Sequence, residues 1–172
     1  MTITHNDLII KNQSCKGVWK IASSLSKIIK TGDILLLKGT IGSGKSFFAR
    51  SIINEYFKIA RIYEDIPSPS FSIVQTYDNI TPCVCHVDLY RLSFMNELEE
   101  IGLENIYENF VTIIEWPERL GIKRPKRFLQ IELIHSKKME EERDLKINSV
   151  GPNWENLSDF LTSLKIFSGE KN

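Results

Sequence analysis

The sequence predicts an α/β fold of three layers, in which a mainly parallel central sheet with antiparallel additions lies between helices. Strand-like and helix-like segments alternate through the first half of the chain, and strands cluster in the second half. A glycine-rich turn also joins one buried strand directly to a helix. At 172 residues and 42% hydrophobic content, we expect a single domain over residues 1–172.

The first elements follow from the spacing of apolar residues. Residues 8–10 are typical of a strand, and a helix is expected from Ser14, a good N-cap, to Gly32, which can end it. Residues 33–38 suit a buried parallel strand, and residues 47–56 have helical spacing. The apolar positions of the first helix are Val18, Ile21, Ala22, Leu25, Ile28 and Ile29.

The later elements are shorter. Residues 71–77 alternate like a strand, and 95–109 predict one or two short helices. Two apolar runs end in an acid, the first at Asp88 and the second at Glu115. The remaining predicted elements are strands at 128–134 and 145–150, with a charged loop at 137–143 between them, and a final helix whose apolar face is Trp154, Leu157, Phe160, Leu161 and Leu164.

Composition excludes several classes of function. The 22 basic and 22 acidic residues cancel, so no overall field attracts nucleic acid or an anionic membrane, and any contact with tRNA would be local or indirect. No apolar run approaches the roughly 20 residues that span a bilayer, and no signal peptide is seen, so we expect a cytoplasmic protein. The Cys83-Val84-Cys85-His86 run lacks a second ligand pair and does not predict a zinc site.

Residues 39–46 fit the phosphate-loop pattern G-x-x-x-x-G-K-[ST] and lie between the predicted strand and helix. Glycines permit a backbone that points successive N–H groups at one anion, and the helix start adds further donors. Lys45 would bind the β- and γ-phosphates, and the Ser46 hydroxyl could bind Mg²⁺. The pattern predicts a P-loop NTPase-like fold with a nucleoside triphosphate site formed by Gly39, Ile41, Gly42, Ser43, Gly44, Lys45 and Ser46.

Asp88 and Glu115 are the candidate acids of this site. Each ends a predicted parallel strand, where ligands gather in such sheets. A triphosphate with magnesium needs one group to hold the ion and another to orient the attacking nucleophile. The two acids could divide these tasks, and the sequence leaves open which of them is the primary metal ligand.

Four motifs in this order resemble those of the TsaE (YjeE) family. Besides the phosphate loop, residues 67–74 resemble its S-P-T-F-T-L-V segment, residues 86–92 its H-x-D-L-Y-R-L segment, and residues 114–118 its I-E-W-P-E segment. The resemblance covers about residues 14 to 150. It departs from the family pattern where Thr40 replaces an aspartate and where serines replace threonines at positions 46, 70 and 72.

The resemblance implies an ATPase with Mg²⁺, slow alone, that acts with the TsaB–TsaD pair in threonylcarbamoylation of the tRNA adenosine beside the anticodon. It implies that Lys45 holds phosphates, that Ser46 and Glu115 hold magnesium, and that Asp88 serves hydrolysis. Residues 67–74 would act as a switch near the γ-phosphate. Trp116 would support Glu115 or face a partner, and Arg143 would touch the nucleotide.

Alternative interpretations remain open at this point. A small-molecule kinase of the shikimate kinase type has a similar loop, but residues 58–66 lack the D-x-D that such enzymes use. A GTPase is disfavoured because neither an N-K-x-D nor a D-x-x-G segment occurs. A nucleotide-dependent interaction module with little turnover is a third possibility. The basic run at 123–127 is either a solvated surface or a contact for tRNA or a partner.

Overall fold

A computed structural model of the chain describes residues 4–92 and 95–154, together with 157 and 160. Within this part of the chain, the strands are β1 (Thr4–Gln13), β2 (Ile34–Lys38), β3 (Val74–Tyr77), β4 (Val84–Asp88), β5 (Val111–Glu115), β6 (Phe128–His135) and β7 (Arg143–Val150). The α-helices are α1 (Cys15–Leu25), α2 (Lys45–Ala60), α3 (Met95–Ile101) and α4 (Leu103–Asn109), and a 3₁₀ helix spans Pro117–Lys123.

The strands form one seven-stranded sheet in the order β1-β7-β6-β2-β5-β4-β3. Strands β6, β2, β5 and β4 are parallel neighbours in the centre, and β7 and β3 add antiparallel pairs on either side. Because β1 is antiparallel to β7, five of the seven strands run in one direction. The predicted mainly parallel sheet with antiparallel additions is confirmed.

Each face of the sheet is covered by its own apolar layer. Leu35 and Leu37 of β2 belong to a core with α1 and α2, whereas Ile34 and Leu36 belong to a second core with α3 and α4. This alternation is expected for a central strand that is buried on both sides, since successive side chains point to opposite faces. The three-layer arrangement places α2 against the strand that leads into the glycine turn.

Helix α1 begins after Ser14 as predicted but ends earlier than its apolar spacing indicated. The Ser14 hydroxyl accepts a hydrogen bond from the Gly17 N–H, and the last helical residue is Leu25. The Ser26 carbonyl, which a longer helix would pair with the Lys30 N–H, accepts instead from the Tyr56 hydroxyl at 2.8 Å. The Lys30 N–H donates to the Asp33 carboxylate. One long-range and one local side-chain contact thus replace the next helical hydrogen bond.

The strand predicted over 71–77 begins only at Val74. Residues 69–72 form a turn in which the Ile73 N–H donates to the Pro69 carbonyl at 2.7 Å, and Ile73 has a positive φ of 66°. Of the predicted final helix, Leu157 and Phe160 are helical and buried, whereas Leu161 and Leu164 lie outside the described residues.

Candidate nucleotide-binding site

The glycine turn between β2 and α2 has the conformation that its sequence requires. Gly39, Gly42 and Gly44 have φ values of 146°, 75° and 101°, all in the region that favours glycine. Gly39 also approaches its neighbours closely, because a Cβ there would lie 2.5 Å from both the Leu133 carbonyl oxygen and the Ser43 hydroxyl. The loop is therefore packed tightly against the end of β6 and leads straight into the N-terminus of α2.

Lys45 is folded back onto this loop. Its ammonium donates to the carbonyls of Gly39 and Thr40, each at 2.9 Å, and lies 3.8 Å from the centre of the Trp116 ring. The residue is only 5% exposed. Burial lowers the pKa of Lys45, and the negative charges of Glu115, Glu118 and Asp88 offset that effect only in part. The ammonium is therefore fixed at the loop by the two carbonyls, and little water reaches its charge.

Ser46 and Glu115 are in direct contact. The Ser46 hydroxyl donates to Oε2 of Glu115 at 2.9 Å, and Glu115 is 2% exposed. The other carboxylate oxygen, Oε1, lies 2.9 Å from Nε2 of His86, which is fully buried. The structure thus brings together the two residues that the family resemblance assigned to magnesium, and it adds a histidine that was not predicted as a site residue.

Asp88 lies beside Glu115 across the sheet. The two acids are paired in the register of β4 and β5. Asp88 accepts from the Ser70 hydroxyl at 2.8 Å and from the Tyr90 N–H at 3.0 Å, and Ser70 is in turn 2.9 Å from the Ser68 hydroxyl. The 67–74 segment therefore contacts the carboxylate of Asp88 through Ser70, so this segment lies beside the site.

These groups line one cleft of about 370 Å³ at the carboxyl ends of the parallel strands. Every predicted site residue except Gly39 and Ser43 lines it, and those two form the base of the loop. Lining residues that the sequence did not single out as ligands are Phe47, Arg50, Ser70 and Tyr90. Tyr90 packs on Trp116 with ring centres 4.9 Å apart, so one wall of the cleft is aromatic.

Arg143, at the start of β7, contacts the loop itself. Its guanidinium donates to the carbonyls of Ser43 at 3.1 Å and Gly42 at 3.2 Å, and also to those of Glu140 and Glu142. In a trans peptide the N–H points opposite to the C=O, so holding these two carbonyls fixes the direction of the following N–H groups. A direct contact between Arg143 and a nucleotide stays a prediction.

The contacts of His86 and Arg143 were missed for different reasons. His86 belongs to a motif, but its role depends on a register between β4 and β5 that local sequence does not specify. Arg143 lies about 100 residues from the loop that it holds. The sequence signal for both residues was their match to positions of the family pattern.

Three residues of the basic run at 123–127 have partners within the protein. Lys123 contacts Glu104, Arg124 contacts Gln130, and Arg127 contacts Asp33.

In the described part of the chain, no helix combines the length and apolar character needed to cross a membrane.

Comparisons with known proteins identify one family. The family model for threonylcarbamoyl adenosine biosynthesis protein TsaE matches residues 12–145. The chain is 31% identical to the tRNA threonylcarbamoyladenosine biosynthesis protein TsaE of Rickettsia felis, over 94% of this chain and 90% of the relative. It is 30% identical to the Bacillus subtilis protein of the same name, over 89% of this chain and 90% of the relative.

The crystal structure of Bacillus subtilis YdiB has the same fold. Its TM-score is 0.73 at 22% sequence identity, and the match covers 96% of this chain and 98% of that one. The phosphate loop, Asp88, Glu115 and the 67–74 segment all fall within residues 12–145, which the family model matches. On these grounds the chain belongs to the TsaE family.

Proposed function

We propose that this protein binds ATP with Mg²⁺ in the cleft and hydrolyses it slowly, as an accessory ATPase in TsaB–TsaD-dependent threonylcarbamoylation of the tRNA adenosine next to the anticodon. Family membership supports the role in tRNA threonylcarbamoyladenosine biosynthesis. The observation that carries the ATPase proposal is the contact between Ser46 and Glu115, because it unites the phosphate loop with a strand-end acid.

The loop would bind the phosphates through its backbone. Residues 39–44 precede the N-terminus of α2, where N–H groups and the helix dipole favour an anion. Lys45 would leave the carbonyls of Gly39 and Thr40 and pair with the β- and γ-phosphates. This exchange is favourable because a buried ammonium gains more from a full negative charge than from carbonyl dipoles.

The residues present also fit a magnesium ion. Mg²⁺ prefers hard oxygen ligands and few protein groups, and the Ser46 hydroxyl and the Glu115 carboxylate provide two such oxygens 2.9 Å apart. When bound, the ion would neutralise charge on the phosphates. Ser46 and Glu115 would then exchange their mutual hydrogen bond for contacts with the metal.

Asp88 would serve the hydrolytic step. Its carboxylate is 4% exposed, lines the cleft, and is fixed by Ser70 and the Tyr90 N–H, so it can orient a water molecule without reorganising. Since Ser70 belongs to the 67–74 segment, a shift of that segment would change the position of Asp88. This coupling supports a switch-like role for the segment.

The remaining parts of the proposal concern partners and location. We propose that TsaB–TsaD binds this protein directly, and that tRNA contacts it only locally or through those partners. The balanced charge of the chain supports the indirect relation to tRNA. A cytoplasmic location follows from the same role.

The decisive test of the site is Lys45→Ala, which should abolish ATP binding in titration calorimetry. Lys38→Ala is the matched control, because Lys38 ends β2 just before the loop and pairs with Glu132 at the surface, at 3.6 Å. ATP affinity equal to the parent in Lys45→Ala would reject the site.

The partner proposal needs a separate experiment. Purified TsaB–TsaD should be retained by the immobilised protein when ATP and Mg²⁺ are present. Retention of neither partner, with or without nucleotide, would contradict the proposed direct binding to TsaB–TsaD.

A further inference from the structure

His86 lies on the face of the sheet that carries the two acids. It is fully buried in β4, and Nε2 is 2.9 Å from Oε1 of Glu115. In the parallel pairing of β4 with β5, His86 is opposite Ile113, whereas Asp88 is opposite Glu115. The histidine and Glu115 are therefore diagonal neighbours on one face, and the register of the two strands brings them together.

The imidazole is an unusual choice for this position on packing grounds alone. Its neighbours in the strand, Val84, Cys85 and Val87, are completely buried and apolar in character. An ionised carboxylate only accepts hydrogen bonds, so the tautomer that fits this contact carries its proton on Nε2. Nδ1 then has no hydrogen-bond partner among the described residues, which costs free energy in a buried site. The contact with Glu115 is the interaction that offsets this cost.

Glu115 is held from both sides. Oε1 faces His86 and Oε2 accepts from Ser46, so the plane of the carboxylate is defined while the cleft has this arrangement. If Ser46 turned to a metal ion, the Ser46 contact would be lost. The His86 contact would continue to orient the carboxylate, as groups behind metal ligands commonly do.

We propose that His86 is a positioning residue, which holds Oε1 of Glu115 so that Oε2 stays directed toward Ser46 and the magnesium ion bound there. This inference rests on the proposed function. Asp88 has a separate support in Ser70 and the Tyr90 N–H. Loss of the His86 contact should therefore raise the Mg²⁺ concentration that the protein needs. The fold change in this concentration should exceed the fold loss of turnover at saturating Mg²⁺.

The test compares His86→Leu with His86→Gln. Calorimetry with a non-hydrolysable ATP analogue, repeated over a series of Mg²⁺ concentrations, gives the concentration for half-maximal enhancement of binding. His86→Leu fills similar space without a donor and should raise this concentration about tenfold or more. His86→Gln should restore most of the loss, because its amide nitrogen can reach the place of Nε2.

Two further variants separate positioning from general destabilisation. Thr112 lies in β5, as Glu115 does, but on the opposite face of the sheet, and its hydroxyl donates to the Ile106 carbonyl. Thr112→Val removes this buried hydrogen bond and should leave the magnesium requirement unchanged. His86→Asn is polar but too short to reach Glu115, and it should behave like His86→Leu. If the leucine variant fails to fold, the comparison of Asn with Gln decides the question.

Equal magnesium requirements in the Asn and Gln variants, or in His86→Leu and the parent, would overturn the positioning role while the magnesium–ATP site itself stands. A parent protein that binds the analogue with no dependence on Mg²⁺ would overturn the proposed metal site, and this inference with it.

Discussion

The side chains of Ser46 and Glu115 are separated by 69 positions in the chain, yet a hydrogen bond of 2.9 Å joins them. The contact connects the N-terminus of α2 with the last residue of β5. It forms because β2 and β5 are parallel neighbours, with Leu37 opposite Glu115, so the turn after β2 begins level with the acid. The phosphate loop and the acid are thus held in one place by the centre of the sheet.

The Ser46 hydroxyl should matter for magnesium rather than for the fold. Ser46→Ala is expected to raise the Mg²⁺ concentration needed for half-maximal ATP binding about tenfold, whereas Ser46→Thr keeps the hydroxyl and should match the parent. Glu115→Gln should likewise raise the Mg²⁺ concentration needed for half-maximal ATP binding. Titration calorimetry at several Mg²⁺ concentrations measures the effect, and an alanine variant with the magnesium response of the parent would contradict it.

Burial of Lys45 should make the stability of the protein depend on pH. The pKa of Lys45 lies below its ordinary value of 10.5 because burial disfavours the cation. The folded state therefore carries a penalty at neutral pH, which fades as the pH rises from the folded pKa toward the unfolded one. Lys45→Met should raise the free energy of unfolding at pH 7, and the gain should shrink near pH 10.

Urea unfolding of Lys45→Met and the parent at several pH values measures this difference, in which the other titrating groups cancel. Lys38→Met is the control, since the Lys38 side chain is about half exposed and should show little such trend. A stability difference for Lys45→Met that stays constant from pH 7 to above the ordinary lysine pKa of 10.5 would rule out the burial penalty.

Asp88→Asn should keep ATP binding but lower kcat about 100-fold or more, because the amide cannot act as a base toward water. Ser70→Ala should lower kcat less, since it removes one of the hydrogen bonds that hold Asp88. Ser72→Ala, in the same turn but exposed, serves as the control. Phosphate release under saturating ATP and Mg²⁺ measures turnover. Parent-like turnover of Asp88→Asn would remove Asp88 from the hydrolytic step.

Two buried tyrosines should respond in opposite ways to the loss of their hydroxyls. Tyr56 donates to the Ser26 carbonyl at 2.8 Å, so Tyr56→Phe should cost about 1 kcal/mol of stability. The Tyr77 hydroxyl is buried with no partner among the described residues, and burial raises its pKa to about 12. Tyr77→Phe should therefore leave stability unchanged or increase it. Chemical denaturation of both variants would test this contrast, which equal losses would refute.

Much of this fold could be predicted because its signals are local. The glycine pattern at 39–46, the Ser14 cap and the apolar runs ending at Asp88 and Glu115 each depend on a few neighbouring residues. The carboxyl ends of parallel strands lie at one edge of the sheet, so the meeting of the two acids followed from their positions.

The features that were missed depend on hydrogen bonds and strand pairing that the spacing of apolar residues does not show. Helix α1 stops at Leu25 because Tyr56 and Asp33 take the groups that would extend it, and neither is visible in the helix's own spacing. The contact of His86 with Glu115 needs the register of β4 and β5. The alternation at 71–77 was misleading because a turn held by the Pro69 carbonyl occupies its first half.

Arg143 gives the edge of the sheet an influence on the cleft. Its backbone is paired with Gln13 at the end of β1, and its guanidinium donates hydrogen bonds to the carbonyls of Gly42 and Ser43. Through Arg143, the edge strand β1 is thereby connected to the phosphate loop, although four strands lie between β1 and β4. The position of the guanidinium that holds the Gly42 and Ser43 carbonyls thus depends on how the edge of the sheet is paired, and not only on the strands that carry the acids.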